Sequence, residues 1–392
     1  MTKMRLCVLL AAIQVVLGIS TLRTEPAPLL LRTEDADVIA DHYIIKFRDA
    51  KSRRSINNAI NTLQIDPDHT FEHVFKGFAS KLSTETLNAL RNHPDVEYIE
   101  QDSTVSVDGF VDQADAQWGL ARISHRKPNF STYAYDSSAG EGTCAYVLDS
   151  GIDIAHPDFG GRASWLANFI DSSNRDGKGH GTHVAGIIGS NTYGVAKKTT
   201  LYAVKVIGNG GMGTTSSMIA GLEFVLADAP ARHCPKGVVA NMSLRDKPST
   251  SLNAAAAALV SNGIFLAVSA GNNNLDTSSQ SPASEPTVCT VGATNITDAR
   301  WEYSNYGPGV DVFAPGVSIL STSPGNWTSV KSGTSQASPH VAGLAAYLAA
   351  MEGFPGADAL CNRIKEIATD GILLNIPDDT VNKLVFNGNP SS

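Results

Sequence analysis

"KSGTSQASPHVAGLAAYL", residues 331–348, sets a Gly-Thr-Ser run in front of a long apolar stretch. Val341, Leu344, Ala345 and Leu348 recur at helical spacing, which predicts a helix. Ser335 at the head of that helix has two readings. Serine is a favoured N-cap residue, because its oxygen accepts a bond from a free N–H of the first turn. It is also a nucleophile wherever another side chain can take its proton. The stretch alone favours the cap, so the decision lies in what the rest of the chain brings to it.

From residue 144 onward, short apolar runs alternate with helical patterns. "CAYVLD", "LYAVKVI", "GVVANMSL", "GIFLAVSAGN" and "VDVFAPG" read as strands. Between them "GTHVAGIIGS", "SSMIAGLEFVLAD" and "SLNAAAAALVSNG" carry helical spacing. Continuous apolar strands separated by helices predict an α/β fold with a parallel sheet covered on both faces. Ligands of such sheets bind beyond the carboxyl ends of the strands. Asp149 and Asn272 each end a predicted strand, so both are expected on that rim.

Residues 21 to about 110 differ in character. "HYIIKF" (42–47) reads as a strand and 52–63 as a polar helix. "TFEHVFKGFASKL" (70–82) reads as two strands around Lys76-Gly77, followed by a helix over 83–92 and a strand at "VEYIE" (96–100). The order βαββαβ is a small α+β split unit of ferredoxin-like type, with its core about 41–102. "QDSTVSVDGFVDQADAQ" after it has no periodicity and reads as a linker.

The chain has 392 residues, 42% hydrophobic and 17% charged, enough for a sizeable core plus processing segments. A formal charge of −8 argues against a nucleic-acid partner, which would require a basic surface. Residues 1–20 place Lys3 and Arg5 before an apolar run from Leu6 to Leu17, with Gly18 and Ser20 behind it. That is the pattern of a secretory signal peptide, too short for a membrane anchor. A secreted, extracellular product is expected, with no membrane association. Cys7 leaves with that segment, and Cys144, Cys234, Cys289 and Cys361 remain, an even number with three possible pairings. No CxxC or His-rich spacing suggests zinc.

Acyl transfer by serine needs a base for the hydroxyl proton, a carboxylate to orient that base, and donors for the oxyanion. "VLDSGI" offers Asp149, "DGKGHGTHVAG" offers His180, and "SGTSQASPH" offers Ser335. An aspartate ending a strand is by itself an ordinary turn residue. The three glycine-flanked stretches together, in the chain order Asp, His, Ser, are strong evidence.

At these residues the chain resembles the subtilisin-like serine proteases, and within them the fungal proteinase K group. The resemblance runs from about Trp118 to the C-terminus and includes "QWGLARIS", "YGVAKKT", "CPKGVVA", "AGNNN", "SPASEPTVCTVGA", "SNYG" and "AAYL". It implies a three-layer fold around a mostly parallel sheet, with Ser335 as nucleophile, His180 as base and then acid, and Asp149 as its orienter. Asn272 and the Ser335 N–H would form the oxyanion hole. Ser243, Leu244, Arg245, Asp246, Ala270 and Gly271 would bind the substrate backbone. No cofactor is implied for catalysis. A structural calcium is implied at the carbonyls of Pro286 and Val288 and the carboxylate of Asp311, where oxygen-only ligation suits a hard cation. The implied disulfides are Cys144–Cys234 and Cys289–Cys361. Residues 21–110 resemble the family's inhibitor propeptide, with the mature domain at 111–392 after cleavage near Phe110. The expected partners are protein or peptide substrates and the propeptide itself, the mature enzyme acting as a monomer. His183 and His340 read as packed structural residues. Sequons at Asn129, Asn295 and Asn326 fit an exported protein, while the one at Asn241 falls in a core strand.

Two positions depart from the family pattern. Gln336 follows the nucleophile where methionine is usual, and Arg245-Asp246 replaces a Gly-Gly pair on the substrate-binding edge. Side chains of neighbouring strand residues point to opposite faces, so one of these two charges is expected to lean into the cleft. Asp246 there would favour basic substrates, and Arg245 acidic ones. A subtilase fold that binds peptides without turnover is the first rival reading, against which the complete Asp149, His180, Ser335 and Asn272 set weighs. A serine esterase is the second. Its nucleophile would sit in G-x-S-x-G, where this chain has Gly333-Thr334-Ser335-Gln336-Ala337.

Overall fold

The computed structural model describes residues 23, 25–31, 38–48, 52–103 and 109–392, so the expected signal peptide lies outside the described residues. The chain divides into two compact units, Met1–Val107 and Asp108–Ser392.

The first unit holds β1 (Leu29–Leu30), β2 (Val38–Phe47), α1 (Ser52–Leu63), β3 (His69–Phe71), β4 (Gly77–Lys81), α2 (Thr84–Arg91) and β5 (Val96–Ser103). The sheet order is β1-β5-β2-β4-β3, antiparallel except for the short β1–β5 pair. Ile45, Phe47, Phe78, Leu90 and Ile99 form its core beneath Ile56 of α1. Ser83 caps α2, its side chain accepting from the Thr86 N–H, which starts that helix one residue after the cap. The expected βαββαβ order is present, with β1 as an addition.

The second unit opens with β6 (Phe110–Gln113), α3 (Trp118–Ile123), β7 (Tyr133–Asp136), β8 (Cys144–Asp149) and β9 (Ala163–Asn168). It continues with α4 (His180–Gly189), β10 (Thr200–Lys205), α5 (Thr215–Asp228), β11 (Val238–Met242), α6 (Thr250–Ser261) and β12 (Phe265–Ser269). Next come β13 (Cys289–Thr294), β14 (Val312–Pro315), β15 (Ile319–Ser323), β16 (Trp327–Lys331), α7 (Thr334–Glu352), α8 (Ala357–Ile367), β17 (Thr369–Asp370) and β18 (Lys383–Leu384). The main sheet runs β17-β18-β14-β13-β12-β11-β8-β10-β9, and every pair but β17–β18 is parallel.

All residues of β8, β12 and β13 are buried, as strands covered on both faces must be. Helix α7 packs against α4 and across β11 to β14, while α5 and α6 pack on each other and on the sheet. The result is the expected three-layer α/β fold. Chain order reverses on either side of β8, whose neighbours are β10 and β11. A crevice opens beyond the strand ends at such a reversal, and Asp149 and Ser243 stand on its two lips.

Disulfides join Cys144 to Cys234 and Cys289 to Cys361, the implied pairing. They span sequence separations of 90 and 72 residues. In the chain-entropy model, loops of that size each contribute about 4–5 kcal/mol.

Three expectations need correction. Ser335 is not the cap of α7: Gly333 is the N-cap and Ser335 is the second helical residue. The linker reading fails in part, since Gln101–Ser103 end β5 and Phe110–Gln113 pair with Tyr133–Asp136 as a two-stranded sheet. Strands β9 and β13 are additions, their sequences "ASWLAN" and "CTVGAT" being too mixed to stand out as apolar runs.

Candidate active site

Helix α4 begins at His180, against the end of β8. Gly181 permits this approach: a Cβ there would meet the Gly151 carbonyl oxygen at 2.1 Å and the Asp149 Cβ at 3.1 Å. The Nδ1–H of His180 donates to Asp149 Oδ1 at 2.8 Å and lies 2.9 Å from Oδ2. That bond leaves Nε2 as the ring's free base. Asp149 is fully buried, and its Oδ1 also accepts the Ser150 N–H at 2.7 Å. Burial alone would lower the pKa of His180. The charge of Asp149 and its hydrogen bond outweigh that and hold the pKa above the ordinary 6.5.

Asp176 fixes the loop that delivers His180, and sequence reasoning passes over it although it lies in the quoted "DGKGHGTHVAG". The buried carboxylate accepts from the Gly179 N–H at 2.7 Å, the Thr182 N–H at 2.8 Å and the hydroxyls of Thr182 and Ser150. It thereby caps α4, whose own N-cap, Gly179, has no side chain to do so.

Ser335 sits in the first turn of α7. Pro339, four residues on, has no N–H to give to the Ser335 carbonyl, which instead accepts the Ser243 hydroxyl at 2.8 Å. The Ser335 hydroxyl in turn donates to the Ser243 carbonyl at 3.2 Å. Behind them the Asn241 side chain donates to Ser243 Oγ at 3.0 Å and accepts from Ser338 Oγ at 2.7 Å. Asn241 is fully buried in this network, in keeping with its position in a core strand.

Asn272 is oriented just as firmly. Its Oδ1 accepts the Thr334 N–H at 2.9 Å and the Thr334 hydroxyl at 2.7 Å, while Thr334 Oγ1 accepts the Gly271 N–H at 3.1 Å. With the amide oxygen taken, the amide nitrogen is the end left free to donate. Gly271 has φ +106°, and a Cβ there would strike Gln280 and Asn305.

Asp149, His180, Ser243, Leu244, Arg245, Asp246, Gly271, Asn272 and Ser335 all line one open cleft of about 460 Å³. Ala270 does not. It is fully buried, with its N–H on the Val291 carbonyl and its own carbonyl on Asn305, so it backs the wall instead of forming it. Asp246 is turned aside: Oδ2 accepts the Thr215 hydroxyl and Oδ1 the Lys247 N–H. Its backbone exchanges bonds with Ser281 at 2.9 and 3.1 Å. Arg245 is exposed and donates from Nη1 to Asn273 Oδ1.

The other two histidines are structural. His183 Nε2–H lies 3.1 and 3.0 Å from the carbonyls of Ile319 and Ser329, and burial pushes its pKa down to about 3. His340 donates from Nδ1 to the Gln336 carbonyl at 2.8 Å, and burial takes its pKa to about 4.

The implied calcium set does not fit. Asp311 Oδ2 accepts the Thr290 N–H at 2.9 Å, and Oδ1 receives the Lys365 ammonium at 3.0 Å. A divalent cation would have to displace a cation the chain supplies itself. Burial pushes the Asp311 pKa above the ordinary range, with Thr290 and Lys365 pulling the other way.

Comparison with known proteins matches residues 140–365 to the Subtilase family and residues 42–108 to Peptidase inhibitor I9. The chain is 54% identical over 388 residues to the subtilisin-like serine protease AsES of Sarocladium strictum, covering 99% of this chain and all of that one. It is 50% identical over 366 residues to a cuticle-degrading protease of Metarhizium anisopliae, covering 93% and 94% of the two chains. Proteinase R of Parengyodontium album is likewise 50% identical, over 93% of each chain. The crystal structure of a cold-adapted subtilisin-like serine proteinase superposes with a TM-score of 0.66 at 38% identity, covering 70% of this chain and 99% of that chain.

Proposed function

Because the chain belongs to the subtilase family, we propose that its peptide hydrolysis runs through an acyl-enzyme on Ser335. The chain is a serine endopeptidase of the proteinase K group, made as a precursor with an inhibitor I9 domain. In the proposed mechanism, Ser335 Oγ turns from the Ser243 carbonyl towards His180, whose Nε2 takes its proton as the oxygen attacks the scissile carbonyl. Asp149 keeps the imidazole in the Nδ1–H tautomer and stabilises the imidazolium. The oxyanion receives the Asn272 amide N–H and the Ser335 backbone N–H, at the positive end of α7. His180 then protonates the leaving amine, and water repeats the sequence to release the acid.

The observation that carries this reading is the double restraint on the polar ends of the cleft. Asp149 fixes which nitrogen of His180 is basic, and Thr334 fixes which end of Asn272 donates. The family's chemistry needs no catalytic cofactor. Metal ligation by Asp311 forms no part of this reading, for the reason given above.

Residues 21–110 are proposed to be the removed propeptide, with cleavage near Phe110 and the mature domain at 111–392. The I9 match over 42–108 supports this assignment. Joined to its own enzyme, such a unit acts at high effective concentration, first aiding folding and then inhibiting. Export is supported by the two disulfides, which persist in oxidising compartments.

The test is self-processing and its energetics. Ser335→Ala should accumulate as a precursor retaining residues 21–110 in a protease-deficient host. His180→Ala should accumulate the same precursor, and the Ser335→Ala, His180→Ala double variant should process itself no more slowly than Ser335→Ala alone, since the pair acts as a unit. Normal maturation of Ser335→Ala, or additive losses, would contradict the proposal.

A further inference from the structure

We propose that Arg245 makes this cleft selective for peptides with an acidic residue immediately before the scissile bond. The inference rests on the reading of Asn272 and Ser335 given above, since these place the reacting carbonyl.

Arg245 belongs to the segment that follows β11 on one wall of the cleft. Its Nη1 donates to Asn273 Oδ1, next in sequence to the cleft-lining Asn272. That acceptor is itself held, taking the Gln280 amide N–H at 2.7 Å, while the Asn273 N–H donates to Asn305 at 3.1 Å. The guanidinium is therefore held one residue from the proposed oxyanion donor. The substrate side chain nearest that donor branches one bond from the attacked carbon. That side chain enters the same lining that holds Arg245.

A guanidinium offers five N–H donors in a planar fork, and Asn273 engages only one nitrogen. A carboxylate is the partner that matches the rest of the fork, pairing two oxygens with two N–H groups. Arginine at this position thus supplies both a positive charge and a directional partner.

The remaining charges of the lining agree. Lys178, Arg245 and Lys247 are cationic, against Asp149 and Asp246. Asp149 is buried and bound to His180. Asp246, the side chain that would have attracted basic peptides, is bonded through both oxygens to Thr215 and to the Lys247 N–H. The lining thus carries three cations against two anions, and both anions accept hydrogen bonds within the chain. A large ring entering beside Asn272 would compete with the exposed Arg245 side chain bonded to Asn273.

The experiment uses the matured wild type, Arg245→Gly and Arg245→Glu, on peptide anilides identical except for Glu, Asp, Leu, Phe or Lys before the scissile bond. Each enzyme is first titrated with a fluorophosphonate. Failure of all three to react would overturn the serine reading, and this proposal with it. With titrated enzyme, wild-type kcat/KM for Glu should exceed that for Lys by about tenfold or more, within the range set by pocket contacts. That ratio should shrink as salt is raised to molar levels, because the opening is solvent-accessible. Arg245→Gly should erase the Glu preference, lose its salt dependence and gain on Phe. Arg245→Glu should favour Lys. Full titration with the same profile in all three enzymes would overturn the proposal and leave the serine reading intact.

Discussion

Ser243 and Ser335 hold each other twice, the hydroxyl of each donating to the carbonyl of the other at 2.8 and 3.2 Å. The first bond exists because Pro339 leaves the Ser335 carbonyl without its helical partner. It ties the first turn of α7 to the segment proposed to pair with substrate, so the nucleophile and the substrate backbone share one anchor.

Ser243→Ala removes the bond to the Ser335 carbonyl and leaves the Asn241 amide short of an acceptor. The expected result is a fall in kcat of roughly tenfold, the size of one hydrogen bond of about 1.4 kcal/mol, with little change in KM. A change confined to KM would mean that Ser243 serves substrate binding only.

The acid limb of the pH profile follows from Asp149 and His180. His180 works as a base only when neutral, and its pKa is held above 6.5, so kcat/KM should fall as pH drops through a midpoint above that value. Asp149→Asn removes the charge that raises it. The midpoint should then move down, and the plateau should fall by about 10⁴-fold as the tautomer is lost. An unmoved limb would show that another group controls it.

Asp311 and Lys365 set the response to metal. Chelator should leave the wild type's Tm unchanged, because Lys365 already neutralises the carboxylate. Lys365→Met leaves that carboxylate unpaired, and Tm should fall by roughly 2–8 °C, a cost of one to two kcal/mol in a domain of this size. Added calcium should recover stability in the variant alone. A wild-type Tm that drops on chelation would contradict the pairing.

Gln336 is buried directly after the proposed nucleophile and offers no thioether to oxidise. Activity should survive peroxide that inactivates Gln336→Met, with methionine sulfoxide at position 336 in the mass spectrum of the variant. Equal loss in both enzymes would place the sensitive group elsewhere.

Most of the fold is legible in the sequence because the covered strands are continuous apolar runs and the helices between them keep their period. Strand β9 escapes notice because "ASWLAN" gains its identity only by pairing with β10. The residues of the site are legible for a different reason: Asp149, His180 and Ser335 each sit in a short glycine-flanked stretch. What lies around them depends on partners distant in sequence. Lys365 reaches Asp311 across 54 residues, which no local pattern reports. The choice between Arg245 and Asp246 likewise depends on Asn273 and Thr215, from two other segments. Asp176 was within reach of sequence reasoning, as an acid shortly before a helix that has glycine at its cap.

The most direct test of the central claim is where a fluorophosphonate attaches. Matured enzyme is inhibited to completion, digested and mapped by mass spectrometry. The expected result is one adduct per molecule, on Ser335, formed in step with loss of peptidase activity and absent from the Ser335→Ala variant. An adduct on any other residue, or full inhibition with Ser335 unmodified, would contradict the assignment of Ser335 as the nucleophile.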